Sequence, residues 1–199
     1  MIKSKVSSKT WATVVVVLVL TELALVLVSW IFSAASPGSA RSLLSGEGVR
    51  WLFGRLATGV ASPLLVWVLM GGMAWGSLRG SGLRWHRPQG HRERAAWMSA
   101  LFTALLFVLV VGLLTVVPHA VLLSATGSLF PSPFSDSLVP LLCVGVMLVS
   151  LVYGIVSGTT ASLTAVYESL VSGLRTAAPL TLCCMLVIEI YETLCFVFL

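Results

Sequence analysis

The stretch Phe130–Thr159, FPSPFSDSLVPLLCVGVMLVSLVYGIVSGT, decides the fold of this chain. Its Pro- and Ser-rich start leads into an uncharged apolar run of 19 residues, from Leu138 to Val156. At about 1.5 Å per residue, a helix of this length crosses a hydrocarbon core of roughly 30 Å. Glycine and hydroxyl residues follow the run, which indicates a helix end at the membrane–water boundary. The stretch therefore predicts a membrane-spanning helix.

The composition of the whole chain agrees with this prediction. The 199 residues are 58% hydrophobic and only 10% charged, whereas about a quarter of a soluble domain is charged. Membrane β-barrels need alternating segments of about ten residues, and the apolar runs here are longer and unbroken. We therefore predict an all-α polytopic membrane protein that forms one membrane domain, residues 1–199.

The apolar runs predict about five transmembrane helices, with two interfacial amphipathic helices between them. Val49, Leu52 and Phe53 belong to one apolar stripe at helical spacing, which is typical of a helix that lies at the interface. Ser45 is a candidate N-cap of that helix. A secretory signal that is cleaved after Ser33-Ala34-Ala35 is the alternative for the first span, but the run is longer than a signal core. The predicted spans are 12–32, 62–78, 96–117, 138–156 and 178–199, and the interfacial helices are 46–60 and 161–175.

The basic residues predict the orientation of the chain. With five spans, nine of the 12 Lys and Arg residues lie on the side of the N-terminus. The positive-inside rule then places the N-terminus in the cytoplasm and the C-terminus outside, in the cytoplasmic (inner) membrane. This distribution also explains the net charge of +5, so we expect contact with the lipid bilayer and no nucleic-acid partner.

The sequence offers no pattern for soluble enzyme chemistry. Nucleotide-binding, zinc-protease and nucleophile-elbow motifs are missing, and the spacing and surroundings of His86 and His91 do not favour a metal pair. The four cysteines lie in apolar runs without C-x-x-C spacing, which is typical of buried hydrophobic residues. We therefore expect no enzyme activity, no catalytic residue, no cofactor and no metal. The cysteines are Cys143, Cys183, Cys184 and Cys195.

Three acidic residues lie at membrane depth: Glu22 in the first span, and Glu189 and Glu192 in the last. Charge at this depth is costly, so such groups face the protein interior, pair or stay protonated. One hypothesis is a proton or cation pathway. The alternative is that Glu22 and Glu189 bond to neighbouring helices or to a partner chain, while Glu192 reaches the exterior interface.

Small residues mark the places where we expect helices to approach closely. Glycine at an interface lets two helix backbones come into contact. In the second span, a discontinuous substrate-binding helix is the alternative interpretation. The candidate packing glycines are Gly71, Gly72, Gly76, Gly154 and Gly158.

Three stretches together resemble the aminobenzoyl-glutamate transporter (AbgT) family. The first is residues 43–83, LLSGEGVRWLFGRLATGVASPLLVWVLMGGMAWGSLRGSGL, with an SGxG-RW helix before a Gly-rich span and an SGL turn. The second is residues 128–160, where SPF, a Val-Pro step and YGxxxGT follow in the order found in the family. The third is the amphipathic helix of residues 161–175 that leads into the last span.

The resemblance implies a transporter-type protein that moves aminobenzoyl-glutamate or a similar anionic amide. Members of the family are roughly 500 residues long, and this chain resembles their scaffold part without the two hairpin modules. Because the binding residues of the family belong largely to those modules, no substrate site is carried over. We therefore expect a homo-oligomer or a partner membrane chain. The alternative function is a non-transporting membrane scaffold or assembly subunit.

Overall fold

The computed structural model describes residues 8–35, 41–60, 62–83, 90–116 and 133–198. Every regular element in these ranges is an α-helix, which confirms the all-α prediction. His86, Lys3, Lys5, Arg84, Arg87 and residues 117–132 of the chain lie outside the described residues. The helices are α1 (Ser8–Ala35), α2 (Gly46–Val60), α3 (Pro63–Ser81), α4 (His91–Val116), α5 (Pro133–Ser157) and α6 (Leu163–Phe198).

Four of these helices contain segments long and apolar enough to cross a membrane: Ser8–Ala35, His91–Leu114, Ser137–Ser157 and Leu163–Phe198. Many large apolar side chains of α1 and α4 are exposed, as a surface that contacts lipid requires. These segments contain most or all of four of the predicted spans. The remaining predicted span, 62–78, falls within α3, which has 19 residues and is not among the four. Its crossing stays a prediction.

Helix α6 corrects one predicted boundary. Residues 161–175 and 178–199 were expected to form two helices, separated before Pro179, but one helix of 36 residues runs through this proline. Proline removes a backbone hydrogen bond and disfavours a helix interior by about 3 kcal/mol. In an apolar environment, a full helix break would leave still more backbone groups unsatisfied. Pro140 lies inside α5 in the same way.

The contacts divide the chain into two compact units. Unit 1 contains Met1–Leu65 and Ala178–Leu199, and unit 2 contains Val66–Ala177. The prediction of a single membrane domain stays a prediction.

In unit 1, α1 and the end of α6 run in the same direction. Thr193 bonds to Glu22, and one turn further along both helices Val26 packs against a cluster that contains Phe196 and Val197. If only the four most apolar helices crossed the membrane, α6 would run opposite to α1. The parallel pair therefore supports a fifth crossing by α3.

The segment before α2 holds these two helix ends together. The backbone N–H of Arg41 donates to the carbonyl oxygen of Val197 at 3.2 Å, and that of Leu43 donates to Ser29 Oγ at 3.2 Å. The rings of Trp51 and Phe196 stack with their centroids 4.5 Å apart. This contact fixes α2 to the end of α6.

In unit 2, α4 packs against α5 through small and aromatic side chains. Ala96 and Ala100 are buried together with Tyr153, and the ring of Trp97 meets the ring of Tyr153 edge to face, with centroids 5.8 Å apart. The alanines let the two helices approach closely enough for the aromatic contact to form. This packing positions the end of α5, where the polar groups of unit 2 gather.

Candidate functional site

Two rows of small residues join α3 to α6 inside unit 2. Each row repeats every four residues, so its members lie along one face of a helix. The rows run antiparallel, because the earliest residue of one meets the latest residue of the other. They consist of Gly72, Gly76 and Gly80 on α3, and Ser169, Gly173 and Ala177 on α6.

The two backbones touch along these rows. A Cβ atom added to Gly76 would lie 2.6 Å from both Cα and N of Gly173, and one added to Gly72 would lie 2.6 Å from Cβ of Ala177. Such contacts are possible only between residues with very small side chains. In contrast, among the described residues Gly71 has no neighbouring atom within 4 Å of the Cβ position. Gly72 and Gly76 thus lie in a helix contact, whereas Gly71 does not.

The predictions missed Gly173, although a signal for it is present. Ser169, Gly173 and Ala177 are spaced by four residues in the sequence, which is typical of small residues on one face of a helix that contacts another helix.

A buried hydroxyl pair ties α3 to α5. The Oγ atoms of Ser77 and Ser150 are 2.5 Å apart, and both side chains have no exposed surface. Ser150 can also donate to the carbonyl oxygen of Val146, at 2.8 Å, so the two serines satisfy each other without water. No sequence pattern indicates this pair, because isolated serines are common in membrane helices.

The end of α5 is closed by Gly154 and Gly158. Gly158 has a φ of 85°, a left-handed conformation that favours glycine, and its N–H donates to the carbonyl oxygen of Gly154 at 3.1 Å. Arg92, at the start of α4, donates from Nε to the carbonyl oxygen of Val156 at 3.3 Å. This cation lies at the negative end of the helix dipole. Gly158 therefore serves the helix end, whereas Gly154 also lies in a helix contact, since an added Cβ atom would be 3.2 Å from Cβ of Ser81 on α3.

The end of α3 meets the end of α5. Thr159 Oγ1 donates to the carbonyl oxygen of Ser81 at 2.7 Å, and Gly82 has a φ of 68° where the chain leaves α3. The first residues of the loops that follow α3 and α5 thus lie at the same end of unit 2, which we call the polar end. The predicted topology placed both loops on the cytoplasmic side.

A cavity of about 570 Å³ opens along the first half of α6, next to the polar end. Its lining contains one basic and one acidic residue, with several hydroxyl groups between them. Thr160 is only 3% exposed, and its Oγ1 atom has no hydrogen-bond partner within the described residues. The polar lining includes Thr159, Thr160, Tyr167, Glu168, Ser172 and Arg175.

The three predicted acids all lie in unit 1. Thr193 Oγ1 donates to Glu22 Oε1 at 2.7 Å, and Thr193 has no exposed surface. Glu22 Oε2 is buried without a hydrogen-bond partner in the described part of the chain. Glu22 and Glu192 both interact electrostatically with Glu189. The structure thus brings the three carboxyl groups into one neighbourhood, and a proton or cation pathway through them stays a prediction.

Of the residues considered for metal chemistry, His86 lies outside the described residues. All four cysteines are free, and His91 is the first residue of α4. Across the ranges that the structure describes, no group of three or more His, Cys, Asp or Glu residues could hold a metal ion.

Comparison with known protein families matches the model of the AbgT putative transporter family to residues 83–190. The match covers more than half of the chain. The chain belongs to the AbgT family. It is therefore a multi-pass membrane protein of transporter type, as the resemblance implied. Comparisons with curated proteins and with solved structures gave no match.

The AbgT match contains most of the site. It includes α4, α5, the lining of the cavity from Thr159 to Arg175, and Glu189. Two of the three resembling stretches, 128–160 and 161–175, lie within the match, whereas the first meets it only at Leu83. Glu22 and Glu192 lie outside the match, so Glu189 is the one of the three acidic residues that the family model covers.

Proposed function

We propose that this AbgT protein takes part in the transport of aminobenzoyl-glutamate or a similar anionic amide, together with a partner membrane chain. The family match over residues 83–190 carries the proposal. The substrate itself rests on the family resemblance.

The continuous helices support the proposed requirement for a partner chain. Within the described ranges, α1 to α6 are continuous, and prolines 140 and 179 do not interrupt α5 or α6. Transporters of this kind commonly bind polar solutes where broken helices meet at the middle of the membrane. A second membrane chain would supply that part of the pathway.

Uptake of labelled aminobenzoyl-glutamate tests the proposal. Vesicles made from native membranes that contain the chain should take up the label, and vesicles from cells that lack it should not. Proteoliposomes with the purified chain alone should match empty liposomes. Equal uptake by both kinds of native vesicle would refute transport, and uptake by the purified chain would refute the need for a partner.

The acids offer a finer test in the same vesicles. Glu22→Gln and Glu189→Gln keep the side-chain shape and remove the charge. If a proton or cation pathway uses these residues, both variants should lower uptake while the amount of protein in the membrane stays the same. Unchanged uptake would assign the acids to helix contacts alone.

A non-transporting scaffold is the second candidate function. The continuous helices and the glycine-mediated contact between α3 and α6 favour it, because both are typical of a rigid support rather than of an element that moves during transport. A scaffold should remain bound to its partner chains through purification, and its removal should destabilise those chains without changing the uptake of aminobenzoyl-glutamate.

A further inference from the structure

The cavity of unit 2 presents one positive and one negative side chain to a ligand. Glu168 and Arg175 both line it, and both are exposed. They are seven residues apart on α6, which separates their backbones by roughly 10 Å along the helix axis. Within the described chain, neither makes an ion pair or a hydrogen bond. The cavity therefore offers both charges and is neutral in sum, which suits a zwitterion better than a simple anion.

Two serine hydroxyl groups in the lining suit the positive end of a zwitterion. Ser169 and Ser172 already donate their protons to backbone carbonyl oxygens, at 2.7 and 2.8 Å. A hydroxyl group has one proton and two lone pairs, so these oxygens can only accept further bonds, as an ammonium group requires. Thr160 Oγ1, in contrast, is buried against Gly154, so the contact to an anionic group depends on Arg175.

The order of these groups along α6 matches the order of groups in a phospholipid. Glu168 lies nearer the polar end, where the apolar segment Ser137–Ser157 of α5 finishes, and Arg175 lies further along α6 toward the apolar part. In a phosphoethanolamine headgroup, the ammonium group likewise lies outside the phosphate. Tyr167, which lines the cavity and is 67% exposed, is of a type enriched at the level of headgroups.

We propose that this cavity binds the headgroup of an ethanolamine phospholipid, with the phosphate beside Arg175 and the ammonium beside Glu168. Lipid is the source we favour over a free zwitterion, because the charges are ordered along α6 and the chain carries four helices apolar enough to cross a bilayer. The proposal does not depend on transport of aminobenzoyl-glutamate. It assigns a lipid site to unit 2 that would exist in a transporter and in a scaffold alike.

Native mass spectrometry of the full chain tests the proposal. The detergent-purified protein is mixed with equal amounts of phosphatidylethanolamine and phosphatidylglycerol with identical acyl chains. The wild type should retain about tenfold more of the ethanolamine lipid. Glu168→Gln should abolish this preference, because only the ethanolamine lipid has an ammonium group for the carboxylate to bind. Arg175→Gln should weaken the binding of both lipids about tenfold, a ratio that corresponds to about 1.4 kcal/mol.

Matched variants on α2 provide the controls. Glu47→Gln and Arg50→Gln change the same charges at exposed positions outside the cavity, and both should keep the preference of the wild type. Thr160→Val removes a hydroxyl that is buried against Gly154, so it should keep the lipid preference of the wild type. Gel filtration of every variant checks that the fold is kept.

Two outcomes would overturn the proposal. The first is equal retention of the two lipids by the wild type, or losses in the α2 variants as large as those in the cavity variants. The second is binding of free phosphoethanolamine, measured by calorimetry, without retention of the ethanolamine lipid, since the cavity would then take a soluble zwitterion. Competition between the free compound and the lipid is the expected result.

Discussion

The contact between α3 and α6 gives the sharpest prediction, since a single methyl group should disturb it. A Cβ atom on Gly173 would lie 2.8 Å from Cα and N of Gly76 and closer still to the carbonyl oxygen of Gly72. Carbon atoms without a bond between them are most stable at about 3.5 to 4.0 Å, so the helices must separate by about 0.7 Å or more. The neighbouring atoms belong to backbone and cannot rotate away.

The magnitude follows from two opposing effects. Overpacking of a well-packed contact costs about 1–3 kcal/mol, and backbone neighbours place Gly173→Ala at the upper end. Alanine favours a helix over glycine by about 1 kcal/mol, which leaves a net loss of about 2 kcal/mol. Gly71→Ala has the same gain in helix propensity, and among the described residues no atom lies within 4 Å of the new methyl group. Its free energy of unfolding should therefore rise by up to about 1 kcal/mol.

Unfolding of the purified chain by SDS in mixed micelles, followed by tryptophan fluorescence, measures the difference. Gly173→Ala should unfold at a lower SDS fraction than the wild type, and Gly71→Ala at the same fraction or a higher one. If the two variants unfold together, α3 and α6 do not touch as described, and the reasoning from the small-residue rows fails.

Three other predictions use the same unfolding measurement. Thr193→Val should destabilise the protein by about 1–3 kcal/mol, since it leaves the Glu22 carboxyl group without its donor. Adding Glu22→Leu should recover most of that loss, and a double variant less stable than Thr193→Val would contradict this. A double-mutant cycle of Ser77→Ala and Ser150→Ala should give a coupling energy of about 1 kcal/mol, and a coupling near zero would exclude the hydroxyl pair. Arg92→Gln should lose about 0.5 kcal/mol of helix-end stabilisation at low salt, and the loss should shrink at high salt if the charge is responsible.

Much of the fold could be predicted, because hydrophobic length is a strong signal in membrane proteins. The predicted interfacial helix 46–60 corresponds to α2 residue for residue, and Ser45 was correctly identified as its N-cap, since the N–H of Gly48 donates to Ser45 Oγ at 3.0 Å. The break before Pro179 was wrong, because the rule that proline ends a helix comes largely from helices in water, where freed backbone groups find other partners.

The site was predictable only in part. Gly72 and Gly76 of α3 were identified by type, whereas Gly80 was not. The partners of these glycines on α6 depend on which helices meet, which the sequence does not state. The same holds for Ser77 and Ser150, which are far apart in sequence. The cavity lining contains Thr160, Glu168 and Arg175, because the first half of α6 runs beside the end of α3. In sequence they are common polar residues near a membrane boundary.

The number of membrane crossings is the most direct test of the proposed topology of five spanning helices. Single cysteines introduced at Ser45, His91 and Ser162 into a chain without its native cysteines can be labelled from either side with an impermeant maleimide. Five crossings, which the parallel course of α1 and α6 supports, predict that Ser45 is labelled from outside and that His91 and Ser162 are labelled from the cytoplasm. Labelling of all three from the same side would mean that α3 does not cross, and the topology of five spanning helices would be wrong.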